Sequence, residues 1–155
     1  GAVAECLDWG GRIDLLVNNA GYGLIGPVVE LDLDDLRLQL ETNVTGLVAM
    51  TQAVVPHMIA AGRGRIVNVG SVSGITAAPF GGAYSGSKAA VHLLSDALRL
   101  ELAPFGIDVV TVQPGAVAAK PVPGWKVTVI LVVMFILNFV FVFDFIKSKS
   151  YRKTG

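Results

Sequence analysis

Tyr84 and Lys88 lie four residues apart and form the pair in this sequence best suited to acid–base chemistry. On a helix, side chains with this spacing project from the same face. A free phenol ionises only near pH 10, but a nearby ammonium stabilises the phenolate. The pair could therefore give a proton to a carbonyl oxygen or take one from an alcohol.

Two further polar residues precede this pair at defined distances. Ser71 lies 13 residues and Asn43 lies 41 residues before Tyr84. Taken singly, Ser71 could be a turn-capping hydroxyl and Asn43 a residue at a helix bend, and Ser73 is an alternative to Ser71. Whether Ser71 and Asn43 could act together with Tyr84 and Lys88 depends on the helices and strands that position them.

Short apolar runs alternate with segments of helical periodicity. The runs predict strands at 13–18, 65–70 and 107–112, and the helical patterns cover 36–58 and 84–102. Continuous apolar strands are typical of a parallel sheet buried on both faces. The order strand, helix, strand, helix, strand predicts an α/β fold with a doubly wound parallel sheet.

The carboxyl ends of the predicted strands are rich in small and turn-forming residues. They are Asn18–Gly21, Gly70–Ser73 and Pro114–Ala116. Ligands of open parallel sheets bind at this edge. Asp32 or Asp34 is the expected cap of the long helix, which Gly62 should end and which we expect to bend near Asn43 or Pro56.

One stretch spells G-x-G-x-x-G with Gly21, Gly23 and Gly26. The dinucleotide fingerprint requires a helix to open directly after the glycines. Here Pro27 follows, and helical periodicity begins only near Asp32. We therefore expect a glycine-rich loop after a strand, and not a pyrophosphate-binding turn.

The composition excludes several classes of function. Twelve basic and twelve acidic residues cancel, so no nucleic-acid partner is expected. Cys6 is the only cysteine and His57 and His92 have no ligand spacing, so we expect no metal site, no internal disulfide and two ordinary helix histidines.

Several motifs in order resemble the short-chain dehydrogenase/reductase family. The matching stretches are DLLVNNAG, TNVTG, GRIVNVGSVSG, AYSGSKAA and LRLELAPFGIDVVTVQPGAV, across residues 8–118. The resemblance implies that Tyr84 is the general acid/base and that Lys88 binds the nicotinamide ribose and tunes Tyr84. It also implies that Ser71 orients the substrate oxygen and that Asn43 holds a relay water.

The same resemblance implies a nicotinamide cofactor, NADP(H) rather than NAD(H). The residues implied to bind it, besides Lys88, are Asn18, Ala20, Gly21, Pro114, Gly115 and Val117. Family members begin with a T-G-x-x-x-G-x-G turn that this chain lacks, and Ala118-Ala119 stand where a Thr or Ser is usual. We therefore expect an incomplete Rossmann-type domain over 1–119 with impaired cofactor binding.

Between Val127 and Phe143 only Thr128 and Asn138 are polar, and a basic tail, 147–155, follows the segment 126–146. About 20 such residues in a helix span the roughly 30 Å of a bilayer core. This segment, joined through a linker at 120–125, predicts a transmembrane or membrane-embedded helix. Basic residues after it favour a cytosolic tail, although a re-entrant or surface-lying segment is the alternative.

Within the family, the sequence looks most like membrane-associated reductases of 1-acyl-dihydroxyacetone phosphate. That resemblance implies hydride transfer to a lipid ketone at the endoplasmic reticulum or lipid droplets, a cytosolic catalytic part and homodimers. Steroid or retinoid dehydrogenases are one alternative. A non-catalytic, membrane-anchored dimerisation module is another.

Overall fold

The computed structural model describes residues 1–115, which form a three-stranded parallel sheet with helices. The strands are β1 (Leu15–Asn18), β2 (Gly64–Val69) and β3 (Ile107–Val112), in that spatial order. Leu16 is aligned with Ile66, and Ile66 with Val109. The three predicted strands and their parallel arrangement are confirmed, with bounds that differ by at most two residues.

Four α-helices accompany the sheet within residues 1–115. They are α1 (Ala2–Gly10), α2 (Leu33–Leu40), α3 (Gly46–Ala61) and α4 (Gly82–Leu102). Asp32 caps α2 by accepting hydrogen bonds from the backbone N–H groups of Asp34 and Asp35, and Gly62 ends α3 with φ 65°, as predicted. A π-helical turn, Glu41–Thr45, joins α2 to α3 and contains Asn43, one of the two places where a bend was expected; Pro56, the other, lies inside α3.

Helices α3 and α4 pack on one face of the sheet. On that face Leu16, Ile66 and Val109 form a core with Val54 and Met58 of α3. The opposite face exposes apolar side chains of β1 and β3, namely Leu15, Val17, Val110 and Val112. Two-sided burial was expected from the apolar runs, but the helices of residues 1–115 cover one face.

A polar chain runs through the buried side of the sheet. The Asn18 side chain donates to the Asn68 Oδ1 atom (2.9 Å) and to the Thr51 hydroxyl (3.2 Å). Asn68 in turn donates to the Ser95 hydroxyl at 2.9 Å. Because Asn68 and Ser95 are fully buried, these hydrogen bonds replace water and tie β1, β2, α3 and α4 together.

One helical stretch in the described part of the chain, Leu33–Ala61, is long and apolar enough to cross a membrane. It contains the buried residues Leu47, Val54 and Met58, of which the last two belong to the core. Core helices of soluble proteins pass the same test. The membrane segment predicted at 126–146 lies outside the described residues.

Candidate active site

Tyr84 and Lys88 lie in the first two turns of α4, on one face as predicted. Lys88 is only 5% exposed, and its Nζ atom lies 5.8 Å from the centroid of the Tyr84 ring. The ammonium donates a hydrogen bond of 2.8 Å to the Val69 carbonyl at the end of β2. This contact fixes the lysine between the sheet edge and the tyrosine.

Burial lowers the pKa of Lys88 from 10.5, because removal from water disfavours the charged ammonium. Between the lowered pKa and 10.5 the folded state binds fewer protons than the unfolded state. The free energy of unfolding should therefore rise with pH across this window. We expect denaturant titrations at increasing alkaline pH to show a steeper rise for the wild type than for Lys88→Met, and parallel curves would contradict this.

Ser71 begins the turn that follows β2. Its hydroxyl accepts a hydrogen bond of 3.1 Å from the Ser73 backbone N–H and caps the 3₁₀ turn Val72–Gly74. The Val72 N–H donates to the Pro114 carbonyl beyond β3 at 3.1 Å. The capping role and a role at the site are compatible, because a hydroxyl that accepts one hydrogen bond can still donate its own proton.

Asn43 is 1% exposed and joins the loop after β1 to the start of α4. Its amide accepts from the Tyr22 N–H at 3.0 Å and donates to the Tyr22 carbonyl at 2.8 Å. It also donates to the Ser87 hydroxyl at 3.0 Å, and Ser87 donates to the Tyr84 carbonyl at 2.7 Å. Both N–H groups of Asn43 are therefore engaged, which leaves its Oδ1 atom as the side-chain group with capacity for a relay water.

Gln39 strengthens the same anchor and was not singled out from the sequence. Its Nε2 atom donates to the Tyr22 carbonyl at 3.1 Å, and the side chain is fully buried. The apolar neighbour Leu40, by contrast, is 38% exposed. Gln39 lies four residues before Asn43, which is about one helical turn. A search for apolar periodicity overlooks a buried polar residue at this spacing.

The residues expected to bind cofactor take different positions. Asn18 directs its amide into the buried polar chain, whereas Ala20 and Gly115 are exposed. Gly21 lies against Asn43 and Lys88, because a Cβ atom there would be 2.9 Å from the Asn43 Oδ1 atom and 3.6 Å from the Lys88 Nζ atom. Val117 lies outside the described residues.

The carboxyl edge of the sheet has groups suited to a nicotinamide ribose. Within residues 1–115, the Val69 carbonyl takes one of the three N–H donors of Lys88. The remaining donors are suited to ribose hydroxyls. The small residues Gly21 and Pro114 lie at the same edge, where parallel sheets bind nucleotides.

The turn that carries Ser71 packs tightly on α4. A Cβ atom at Gly74 would lie 2.8 Å from the Lys88 carbonyl carbon and 2.9 Å from its oxygen. Backbone atoms of a helix cannot move aside cheaply, so Gly74→Ala should lower the free energy of unfolding by about 1–3 kcal/mol. Urea denaturation measures this change.

Gly86→Ala is the matched control for this prediction. Gly86 lies on the exposed side of α4 and a Cβ atom there would meet nothing within 4 Å. In a helix the alanine should stabilise by about 0.5–1 kcal/mol. Equal effects of the two substitutions would show that the close packing at Gly74 has no energetic consequence.

The short-chain dehydrogenase family model matches residues 1–125. A 3-ketodihydrosphingosine reductase of Bacteroides thetaiotaomicron is 44% identical over 114 residues, which cover 74% of this chain and 42% of the relative. Human 17-beta-hydroxysteroid dehydrogenase type 1 is 42% identical over 107 residues, 69% of this chain and 33% of the relative. The chain therefore spans less than half of the length of these relatives.

Solved structures have the same fold. An NAD⁺-bound xylitol dehydrogenase is 39% identical with a TM-score of 0.74, and the match covers 77% of this chain and 46% of that one. A gluconate 5-dehydrogenase from Burkholderia cenocepacia, in complex with NADP and tartrate, is 36% identical with a TM-score of 0.71, over 74% and 45% of the two chains. The parallel sheet and helices described above are thus those of these enzymes.

Proposed function

The chain belongs to the short-chain dehydrogenase family, and on that premise we propose that it carries the catalytic residues of a nicotinamide-dependent carbonyl reductase. The observation that supports this most strongly is the position of Lys88. It is buried, bonded to the end of β2, and adjacent to Tyr84 at the start of α4. A buried lysine beside a tyrosine at a ligand-binding sheet edge is suited to proton transfer.

In this proposal each residue has a separate task. When bound, the reduced nicotinamide supplies the hydride. Tyr84 donates a proton to the carbonyl oxygen, and the nearby Lys88 ammonium stabilises the phenolate that remains. The Ser71 hydroxyl donates a hydrogen bond to the same oxygen and orients it. Asn43 holds the Tyr22 loop and a water that restores the proton to Tyr84.

The cofactor remains a choice between two nucleotides, and we propose NADP(H). Lys88 would bind its nicotinamide ribose. The nicotinamide side would be lined by Pro114, Gly115 and Val117, and the adenosine ribose side by Asn18, Ala20 and Gly21. Solved relatives of similar identity hold NAD⁺ in one case and NADP in another. Direct titration with both reduced nucleotides decides between them.

The proposed substrate is a ketone on a lipid, with 1-acyl-dihydroxyacetone phosphate as the first candidate. The relative named as a 3-ketodihydrosphingosine reductase supports this class. The apolar segment 126–146 supports a site at the endoplasmic reticulum or lipid droplet membrane. A relative named as a hydroxysteroid dehydrogenase makes a steroid ketone the second candidate.

Isotope transfer tests the proposal. The complete gene product would be incubated with NADPH or NADH deuterated at the transferable position and with 1-acyl-dihydroxyacetone phosphate, 3-ketodihydrosphingosine or a 17-ketosteroid. We expect one of these products to carry deuterium at the new carbinol carbon, measured by mass spectrometry. Saturable nucleotide binding without transfer to any ketone would contradict a reductase, and absence of nucleotide binding would favour the non-catalytic module.

A further inference from the structure

His92 contacts the segment that carries Ser71. It lies one helical turn beyond Lys88 on α4, so Tyr84, Lys88 and His92 follow one another at intervals of four. The Ser71 backbone N–H donates a hydrogen bond of 3.2 Å to the His92 Nε2 atom. The sequence pattern had suggested only an ordinary helix residue.

The imidazole ring occupies a space made by two glycines. A Cβ atom at Gly70 would lie 2.2 Å from the His92 Nε2 atom, and one at Gly74 would lie 2.7 Å from its Cε1 atom. Any other residue type at Gly70 would therefore collide with the ring. The absence of a Cβ atom at Gly70 and at Gly74 lets the histidine approach the backbone closely.

The hydrogen bond to His92 differs from those of the neighbouring backbone groups. The N–H groups of Gly70 and Val72 donate to carbonyls at and beyond the end of β3, at 2.8 and 3.1 Å. The Ser73 N–H donates to the Ser71 hydroxyl itself. Among these four neighbouring N–H groups, only that of Ser71 is bonded to a side chain of α4, the helix that carries Tyr84.

We propose that His92 is a positioning residue that fixes Ser71 relative to Tyr84. The Val69 carbonyl accepts from Lys88 and the Ser71 N–H donates to His92, so α4 holds the end of β2 at two points, two residues apart. The pair sets the distance at which the Ser71 hydroxyl and the Tyr84 phenol meet one carbonyl oxygen. An acceptor nitrogen requires the neutral imidazole protonated at Nδ1. This inference rests on the proposed reductase function.

The first test separates the acceptor atom from the bulk of the ring. His92→Leu removes the acceptor, whereas His92→Gln keeps an amide oxygen near the position of Nε2. We expect kcat to fall by about 10- to 100-fold in the leucine variant, as for a misplaced catalytic group, with nucleotide affinity unchanged and most of kcat recovered by glutamine. His57→Leu, a change at the exposed histidine of α3, should leave kcat unchanged.

A double-mutant cycle with Ser71→Ala, followed in single turnovers, tests the route of the effect. If His92 acts through Ser71, adding His92→Leu to Ser71→Ala should reduce the rate little further, because the two substitutions remove one interaction. An unchanged kcat in His92→Leu, or the full loss repeated in the Ser71→Ala background, would overturn the inference.

Amide hydrogen exchange keeps this test independent of the enzyme's activity. Exchange of the Ser71 N–H, followed by NMR in the complete protein, should be faster in His92→Leu than in the wild type and should slow again in His92→Gln. If the wild type reduces no ketone but exchange follows this order, the reductase proposal fails and the contact stands. If exchange of Ser71 is unaffected, the positioning role is wrong whatever the activity.

Discussion

Tyr84→Phe should lower kcat by about 10²- to 10⁴-fold in the complete enzyme, the range for loss of a general acid. The substitution removes only the phenolic oxygen, so the ring remains beside Lys88. Nucleotide affinity should be retained, because Lys88 keeps its hydrogen bond to the Val69 carbonyl. Steady-state reduction of the ketone and nucleotide titration measure the two quantities.

Tyr22→Phe provides the same chemical change at a different position. The hydrogen bonds of Tyr22 to Asn43 and Gln39 use its backbone N–H and carbonyl, and phenylalanine keeps both. Its kcat should change little. Similar losses in the two variants would mean that any tyrosine hydroxyl near this edge matters, and normal turnover by Tyr84→Phe would remove Tyr84 from the mechanism.

Asn68→Leu should lower the free energy of unfolding by about 2–4 kcal/mol. Leucine has the same branched side-chain skeleton as asparagine, so the change deletes hydrogen bonds without opening a cavity. It removes the acceptor of Asn18 and the donor to Ser95, and Asn68 and Ser95 are fully buried. Asn18 keeps its hydrogen bond to Thr51 and Ser95 keeps its own to the Val91 carbonyl, but each loses one buried partner, at a cost of about 1–3 kcal/mol. Denaturant unfolding followed by circular dichroism measures the loss.

The control for Asn68→Leu is Gln52→Leu, another amide replaced by leucine, on the exposed side of α3. Its effect should stay within about 0.5 kcal/mol. If Asn68→Leu is equally mild, the polar chain contributes nothing beyond what apolar packing would supply, and the buried asparagines would need another explanation.

Features encoded over a few neighbouring residues could be predicted from the sequence. The strand bounds follow from short apolar runs, and the cap at Asp32 and the helix end at Gly62 follow from local backbone chemistry. The placement of Tyr84 and Lys88 on one face follows from helical spacing alone.

Features that join distant segments could not be predicted in this way. The Ser71–His92 hydrogen bond spans 21 residues and the Asn18–Asn68 hydrogen bond spans 50. Single-sequence periodicity does not specify which polar atoms meet across such separations. For the same reason the sequence could not show that the Asn18 amide faces the buried polar chain.

The π-helical turn at Glu41–Thr45 affects the orientation of α2 relative to α3. In a regular α-helix each step of four residues advances by about 400°, a drift of about 40° per step. Gln39, Asn43, Leu47 and Thr51 follow one another at such steps, yet all four are buried. The wider turn reduces the rotation between Gln39 and Leu47. Deleting one residue from it would turn α2 by about 100° and carry Gln39 away from Tyr22, while Leu47 and Thr51 kept their orientation towards the sheet.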